Sequence, residues 1–96
     1  RLIHLGEVFR GTGNESFANP SEILRKAISH GAHSIVLVHN HPSGDPSPSN
    51  ADHEVTRRLK TACLAIGVEF TDHIIVGCHS RDAGDPYFSF REAGLI

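Results

Sequence analysis

Two histidines and one aspartate in the middle of the chain have the spacing of a metal site. His39 and His41 are separated by one residue at the end of a predicted strand, so their imidazoles project to the same side. Asp52 lies in the first turn of the next predicted helix, where the helix dipole favours a carboxylate. Two imidazoles and one carboxylate suit Zn²⁺ and leave the fourth tetrahedral position for water. The spacing therefore predicts a catalytic zinc site formed by these three residues.

The segment between these residues favours the same interpretation. Three prolines lie between His41 and Asp52, and they restrict the loop that must return the chain to the site. Ser49 and Asp52 also match the S-x-x-D pattern of a helix start, so in isolation the pair predicts only a capping box. The histidine pair just before this helix makes Asp52 a predicted ligand as well.

The elements that must position these residues follow from apolar periodicity and turn signals. Asn19 is a favoured N-cap ahead of Pro20, and Gly31 is a natural helix stop. The run that follows is continuously apolar, which is typical of a strand covered on both faces. The predicted elements are a strand over 2–11, a helix over 19–30, a strand over 34–39, a helix over 49–66, a strand over 68–77 and a strand over 87–90. This order predicts an α/β fold with a mixed sheet and helices packed on it.

Length and composition limit the class of protein. The chain has 96 residues, of which 39% are hydrophobic and 21% charged, so we expect one globular domain over 1–96. The net charge of −2 predicts no direct nucleic-acid binding by this domain, and no apolar run approaches the ~18 residues of a membrane span. Cys63 and Cys78 lack a C-x-x-C spacing, which favours a reduced, cytoplasmic protein. The chain begins at Arg1, within a predicted strand, so we expect a domain truncated at its N-terminus.

The chemistry-bearing segment resembles a known family. The pattern H-x-H, seven residues, Ser, two residues, Asp is similar to the motif of JAMM (MPN-type) metalloproteases, and the string His39-Asn-His-Pro-Ser-Gly44 resembles their RadC branch. Further similar residues and segments are Gly11-Thr12, Pro20 with Glu22, Thr56, Leu59, Asp72-His73-Ile-Ile-Val-Gly77 and Ser89-Phe-Arg-Glu-Ala-Gly94. The resemblance implies a cytidine-deaminase-like, three-layer α/β/α domain with zinc at the edge of the sheet. It also implies hydrolysis of a peptide or isopeptide bond.

The same resemblance implies roles for further residues. Ser49 would donate a hydrogen bond to the oxyanion of the reaction, and a glutamate would act as general base. In the superfamily that glutamate opens a hairpin whose second strand corresponds to 2–12, so we expect the base to lie upstream of Arg1. Within the chain the candidates are Glu7, for which a solvent-facing position is an equal alternative, and Glu22, which we expect to be a helix-start acid. A peptide or protein substrate is expected to bind by strand addition.

Other functions are compatible with parts of this pattern. A non-catalytic module that binds metal or protein partners in DNA repair or recombination is the main alternative. Absence of a glutamate upstream of Arg1 would favour that alternative. A base deaminase is disfavoured, because it requires H-x-E and P-C-x-x-C, whereas this chain has His39-Asn-His41 and no C-x-x-C.

The remaining histidines give weaker signals. His73 follows Asp72 in a predicted strand, where it could support the metal ligands or lie at the sheet edge, and we expect a structural role for it. The other histidines have no mutual spacing that forms a site, and we expect them to be exposed: His4, His30, His33, His53 and His79.

Overall fold

The computed structural model describes residues 19–41, 43–77 and 87–96. Its elements are α1 (Pro20–Ser29), β1 (Ser34–Asn40), α2 (Asn50–Ile66), β2 (Glu69–Val76) and β3 (Tyr87–Ser89). Each agrees within one residue at either end with an element expected from the sequence. The strand predicted over 2–11 lies outside the described residues, and so do Glu7 and Cys78.

The described strands form one mixed sheet in the order β1-β2-β3. β1 and β2 run parallel, whereas β2 and β3 run antiparallel. A parallel pair needs a crossover connection, and α2 supplies it between β1 and β2. The predicted α/β fold with a mixed sheet is therefore confirmed, and its parallel pair brings the ends of β1 and β2 to the same edge.

The core joins both helices to one face of the sheet. Its buried members are Ile23 of α1, Val55, Leu59 and Cys63 of α2, and Phe70 of β2. Ile35 and Leu37 of β1 pack against this cluster. Val36 and Val38 alternate with them along β1 and point to the opposite face of the sheet, where they are 51% and 56% exposed.

Among the described residues, β1 is covered on one face only, and not on both faces as its apolar run predicts. Both described helices pack over the face that carries Ile35 and Leu37, so burial along β1 alternates with the pleat. The second helical layer of the predicted three-layer arrangement is not among the residues that the structure describes.

Local signals fix the ends of both helices. The Asn19 side chain caps α1 by accepting a hydrogen bond from the Ser21 backbone N–H at 2.9 Å. Gly67 ends α2 in the left-handed conformation, with φ of 77°. Within the described ranges, no helix is long and apolar enough to cross a membrane.

Candidate metal centre

The end of β1 and the first turn of α2 bring together the three ligands predicted from the sequence. His39 lies in β1, His41 directly follows this strand, and Asp52 is the third residue of α2. The carboxylate oxygens of Asp52 lie between the two imidazoles. Oδ1 is 3.1 Å from Nε2 of His39, and Oδ2 is 3.0 Å from Nε2 of His41. The Asp52 side chain is fully buried, so this carboxylate depends on its protein partners for solvation.

The predicted capping box holds Asp52 in place. Ser49 is the N-cap of α2, and its hydroxyl oxygen accepts a hydrogen bond from the Asp52 backbone N–H at 3.1 Å. In return, the Ser49 backbone N–H donates to Oδ2 of Asp52 at 2.8 Å. The cap satisfies two of the N–H groups that a helix start leaves without partners. It therefore fixes both the start of α2 and the direction of the carboxylate.

The loop after β1 orients the imidazole of His41. Nδ1 of His41 lies 2.9 Å from the backbone carbonyl oxygen of Asp45. A carbonyl oxygen can only accept, so Nδ1 carries the proton of this hydrogen bond. In the neutral ring the other nitrogen, Nε2, then has a lone pair that faces Asp52. Metal-binding histidines commonly donate their second ring N–H to a carbonyl or carboxylate in this way.

Two buried atoms in this cluster have no hydrogen-bond partner in the described part of the chain. They are Nε2 of His39 and Oδ1 of Asp52. The two atoms are 3.1 Å apart, but their directions do not make a hydrogen bond. Buried polar atoms are rarely left without partners, and two acceptors at this distance repel each other unless a cation or a proton lies between them. The residues therefore fit a metal ion.

The protonation states of the cluster also suit metal binding. Burial lowers the pKa of His39 below its usual value, although the Asp52 carboxylate opposes this effect. Burial would raise the pKa of Asp52, but hydrogen bonds from Ser49 and the two nearby imidazoles outweigh it, so the pKa of Asp52 is lowered. A neutral imidazole and an ionised carboxylate are the forms that coordinate metal.

A third histidine, His73 of β2, lies directly behind His39. Its Nε2 is 3.1 Å from Nδ1 of His39, and its Nδ1 is 2.7 Å from the hydroxyl oxygen of Thr56 in α2. His73 is fully buried, and burial lowers its pKa to about 4. Ring nitrogens of His39 and His73 and a carboxylate oxygen of Asp52 all lie within 4.8 Å of one another, a grouping that can hold a metal ion.

Comparison with known proteins identifies the family of this chain. The model of a family described as the RadC-like JAB domain matches residues 1–95. The chain belongs to this family. The RadC resemblance inferred from the sequence is thereby confirmed.

Curated relatives of this RadC-like JAB domain carry the name UPF0758 protein, which states no activity. The relative from Trichlorobacter lovleyi is 42% identical over 96 residues, which is 100% of this chain and 39% of the relative. The relative from Symbiobacterium thermophilum is 48% identical over 96 residues, or 100% of this chain and 38% of the relative. The relative from Streptococcus gordonii is 48% identical over 92 residues, or 96% of this chain and 38% of the relative. The chain thus spans about two-fifths of the length of these relatives.

The other predicted site residues of this RadC-like JAB domain are Ser49, Glu22 and Glu7. Ser49 uses an acceptor lone pair in the cap, and a hydroxyl has a separate proton to donate, so capping and oxyanion stabilisation are compatible. Glu22 is exposed in the first turn of α1, as expected for a helix-start acid. Glu7 lies outside the described residues, and the catalytic roles of Ser49 and Glu7 stay predictions.

The sequence left open that His73 supports the metal ligands, but it favoured a structural role. In the structure His73 lies two residues along β2 from Ile75, the residue that pairs with His39. In the observed register His39 pairs with Ile75 and Leu37 pairs with His73. His73 therefore faces the same side of the sheet as His39. The Asp-His pair offers no local signal for this position, because it depends on how β2 pairs with β1.

Proposed function

We propose that this RadC-like JAB domain is a zinc-dependent hydrolase that cleaves a peptide or isopeptide bond. The unpartnered pair formed by Nε2 of His39 and Oδ1 of Asp52, with Nε2 of His41 beside it, supports the proposal most strongly. His39, His41 and Asp52 would hold the ion. A zinc ion with three such protein ligands acidifies water and polarises a carbonyl group.

The protein's own groups would prepare the site for this chemistry. The cap at Ser49 and the Asp45 carbonyl hold Asp52 and His41 in place before substrate binds, and such preorganisation avoids a reorganisation cost during reaction. The Ser49 hydroxyl proton would stabilise the negative charge that develops on the substrate carbonyl oxygen. A glutamate, either Glu7 or one that precedes Arg1, would accept a proton from water and pass it to the leaving amine.

The proposed substrate is an extended peptide segment that adds to the sheet. β1 is a terminal strand in the described sheet, and it leads directly to the two histidines. A peptide that lay alongside such a strand would present its backbone carbonyl near the metal centre. Strand addition uses main-chain hydrogen bonds, so it suits a hydrolase that acts on extended segments.

Metal analysis and a hydrolysis assay test the proposal. In the natural protein that contains this chain, purified without a chelator, we expect about one equivalent of zinc per chain. The double variant His39→Ala/His41→Ala should lose the zinc, whereas His33→Ala, which removes an exposed histidine ahead of β1, should retain it. Hydrolysis of peptide and isopeptide substrates should stop on chelation and return when zinc is added.

The outcome also separates the two functions considered from the sequence. Stoichiometric zinc in the His39→Ala/His41→Ala variant would overturn the metal site. Zinc that depends on these histidines, combined with no hydrolysis of any peptide or isopeptide substrate, would overturn the enzyme and favour a metal-binding interaction module.

A further inference from the structure

A buried chain of hydrogen bonds lies behind the metal centre. The hydroxyl oxygen of Thr56 is 2.9 Å from the backbone carbonyl oxygen of Asp52 and 2.7 Å from Nδ1 of His73. The other ring nitrogen of His73 is 3.1 Å from Nδ1 of His39. Thr56 and His73 are buried, at 4% and 0% exposure, so water does not compete for these contacts. These hydrogen bonds connect the first turn of α2 to His39, a predicted metal ligand on β1.

Counting the protons in these hydrogen bonds gives one consistent assignment of donors and acceptors. Thr56 has a single hydroxyl proton, and it goes to the carbonyl oxygen of Asp52, because that oxygen can only accept. The hydroxyl oxygen therefore accepts from His73, and Nδ1 of His73 must carry a proton. A neutral imidazole has one N–H, so Nε2 of His73 offers a lone pair to His39. Nδ1 of His39 then carries its proton, and Nε2 of His39 has a free lone pair.

We propose that Thr56 and His73 form a tautomer relay that fixes His39 with its proton on Nδ1 and its Nε2 ready to bind metal. His73 is then a positioning residue and not a ligand, because both of its ring nitrogens are occupied by Thr56 and His39. This inference rests on the proposed metal site, in which the relay orients the ligand His39.

Packing around His73 supports the relay. The ring of Phe90 stacks on His73, with a centroid distance of 4.6 Å and an interplanar angle of 11°. The stack holds the plane of the His73 ring, so its nitrogens stay aligned with Thr56 and His39. The two metal-binding histidines are thus oriented by different means. A backbone carbonyl receives the N–H of His41, whereas a buried side chain receives the N–H of His39.

Two matched pairs of variants test the relay. Thr56→Val removes the hydroxyl at nearly constant shape, and Thr56→Ser retains it. His73→Phe keeps a ring that can stack on Phe90 but has no nitrogen, whereas His73→Gln keeps an acceptor toward His39 and a donor toward Thr56. Nitrogen-15 NMR of the metal-free natural protein at neutral pH reports which nitrogen of His39 carries the proton. Competition with a chromophoric chelator reports the zinc affinity.

We expect wild-type His39 to carry its proton on Nδ1 even without metal. Thr56→Val and His73→Phe should give mixed His39 tautomers and weaken zinc binding by ~10–100-fold, the usual effect of losing a group that orients a metal ligand. Thr56→Ser and His73→Gln should restore the tautomer and most of the affinity. If His73→Phe does not fold, the Thr56 pair carries the same comparison.

The relay and the proposed function fail differently in this experiment. A proton on Nε2 of His39 in the metal-free wild type would overturn the relay whether or not zinc binds. Unchanged zinc affinity in Thr56→Val would also overturn it. A wild type with the expected tautomers of His39 and His73 that binds no zinc would overturn the proposed function, while it supports the relay.

Discussion

Gly77 is the point at which the end of β2 touches the loop that orients His41, so a single methyl group there should weaken the metal site. A Cβ at Gly77 would lie 2.6 Å from the backbone oxygen of Gly44 and 2.7 Å from Cδ of Pro46. Ordinary contacts of this kind begin at 3.4 Å, so the loop must retreat by about 0.8 Å. Asp45 lies between the two clashing residues, and its carbonyl must move with them.

A displacement of this size away from His41 is enough to break the hydrogen bond that orients its imidazole. Nδ1 of His41 is now 2.9 Å from the Asp45 carbonyl oxygen. A retreat along this direction would lengthen the distance to roughly 3.7 Å, beyond the range of a hydrogen bond. We therefore expect Gly77→Ala to weaken zinc binding by ~10–100-fold. The free energy of unfolding should fall by only ~1–3 kcal/mol, the usual cost of overpacking.

Chelator competition and urea unfolding on the metal-free protein check these two numbers separately. Gly67→Ala is the matched control, because Gly67 has φ of 77° and a Cβ there would meet nothing within 4 Å. The strained backbone of that variant should cost ~1–2 kcal/mol without moving the loop. Wild-type zinc affinity in Gly77→Ala, or an equal loss of affinity in Gly67→Ala, would refute the reasoning.

Three further predictions concern the start of α2 and the contact of Asp72 in β2 with β3 and the residues that follow it. Asp52→Asn should keep α2 helical by circular dichroism but reduce zinc affinity by more than the ~100-fold typical of a supporting hydrogen bond, because a ligand loses its charge. Ser49→Gly should hold zinc normally and lose ~10²–10³-fold in kcat, as removal of an oxyanion donor does; an unchanged kcat would leave Ser49 only as a cap. Burial would raise the pKa of Asp72, but hydrogen bonds from Ser89 and from the backbone N–H of Arg91 outweigh it and lower this pKa below its usual 3.8. The ionised Asp72 therefore stabilises the fold fully above pH 3.8, and this contribution is lost as pH falls from 3.8 through the folded-state pKa. The difference in urea midpoint between wild type and Asp72→Asn should stay constant above pH 3.8 and shrink below it.

The sequence by itself determined the helices and strands and the three predicted metal ligands, His39, His41 and Asp52, because the signals for both are local. Asn19 begins α1 through its side-chain acceptor, and Gly67, directly after the helix predicted over 49–66, ends α2 through its left-handed backbone. His39 and His41 share a side because strand side chains alternate, and Asp52 is placed by the cap it forms with Ser49. None of these relations depends on distant parts of the chain.

The tertiary structure alone decided which groups support the three predicted metal ligands. The pairing of β1 with β2 shifts between Ile35 and Val36, so that Ile35 pairs with Phe70 but Val36 pairs with Asp72. That irregularity inverts the alternation along β2 and turns His73 toward the core. Simple alternation from Phe70 would have placed Asp72 on that side instead.

The contact between Gly77 and the loop after β1 has the same origin. Gly77 and Gly44 are distant in the sequence, and the parallel pairing of β1 with β2 brings the ends of the two strands to one edge. Burial of β1 on one face also depends on where α1 and α2 pack, and a continuous apolar run gives no information about that. Local patterns fix backbone conformation and the spacing of neighbouring side chains. Register and packing between distant segments arise only when the whole core forms.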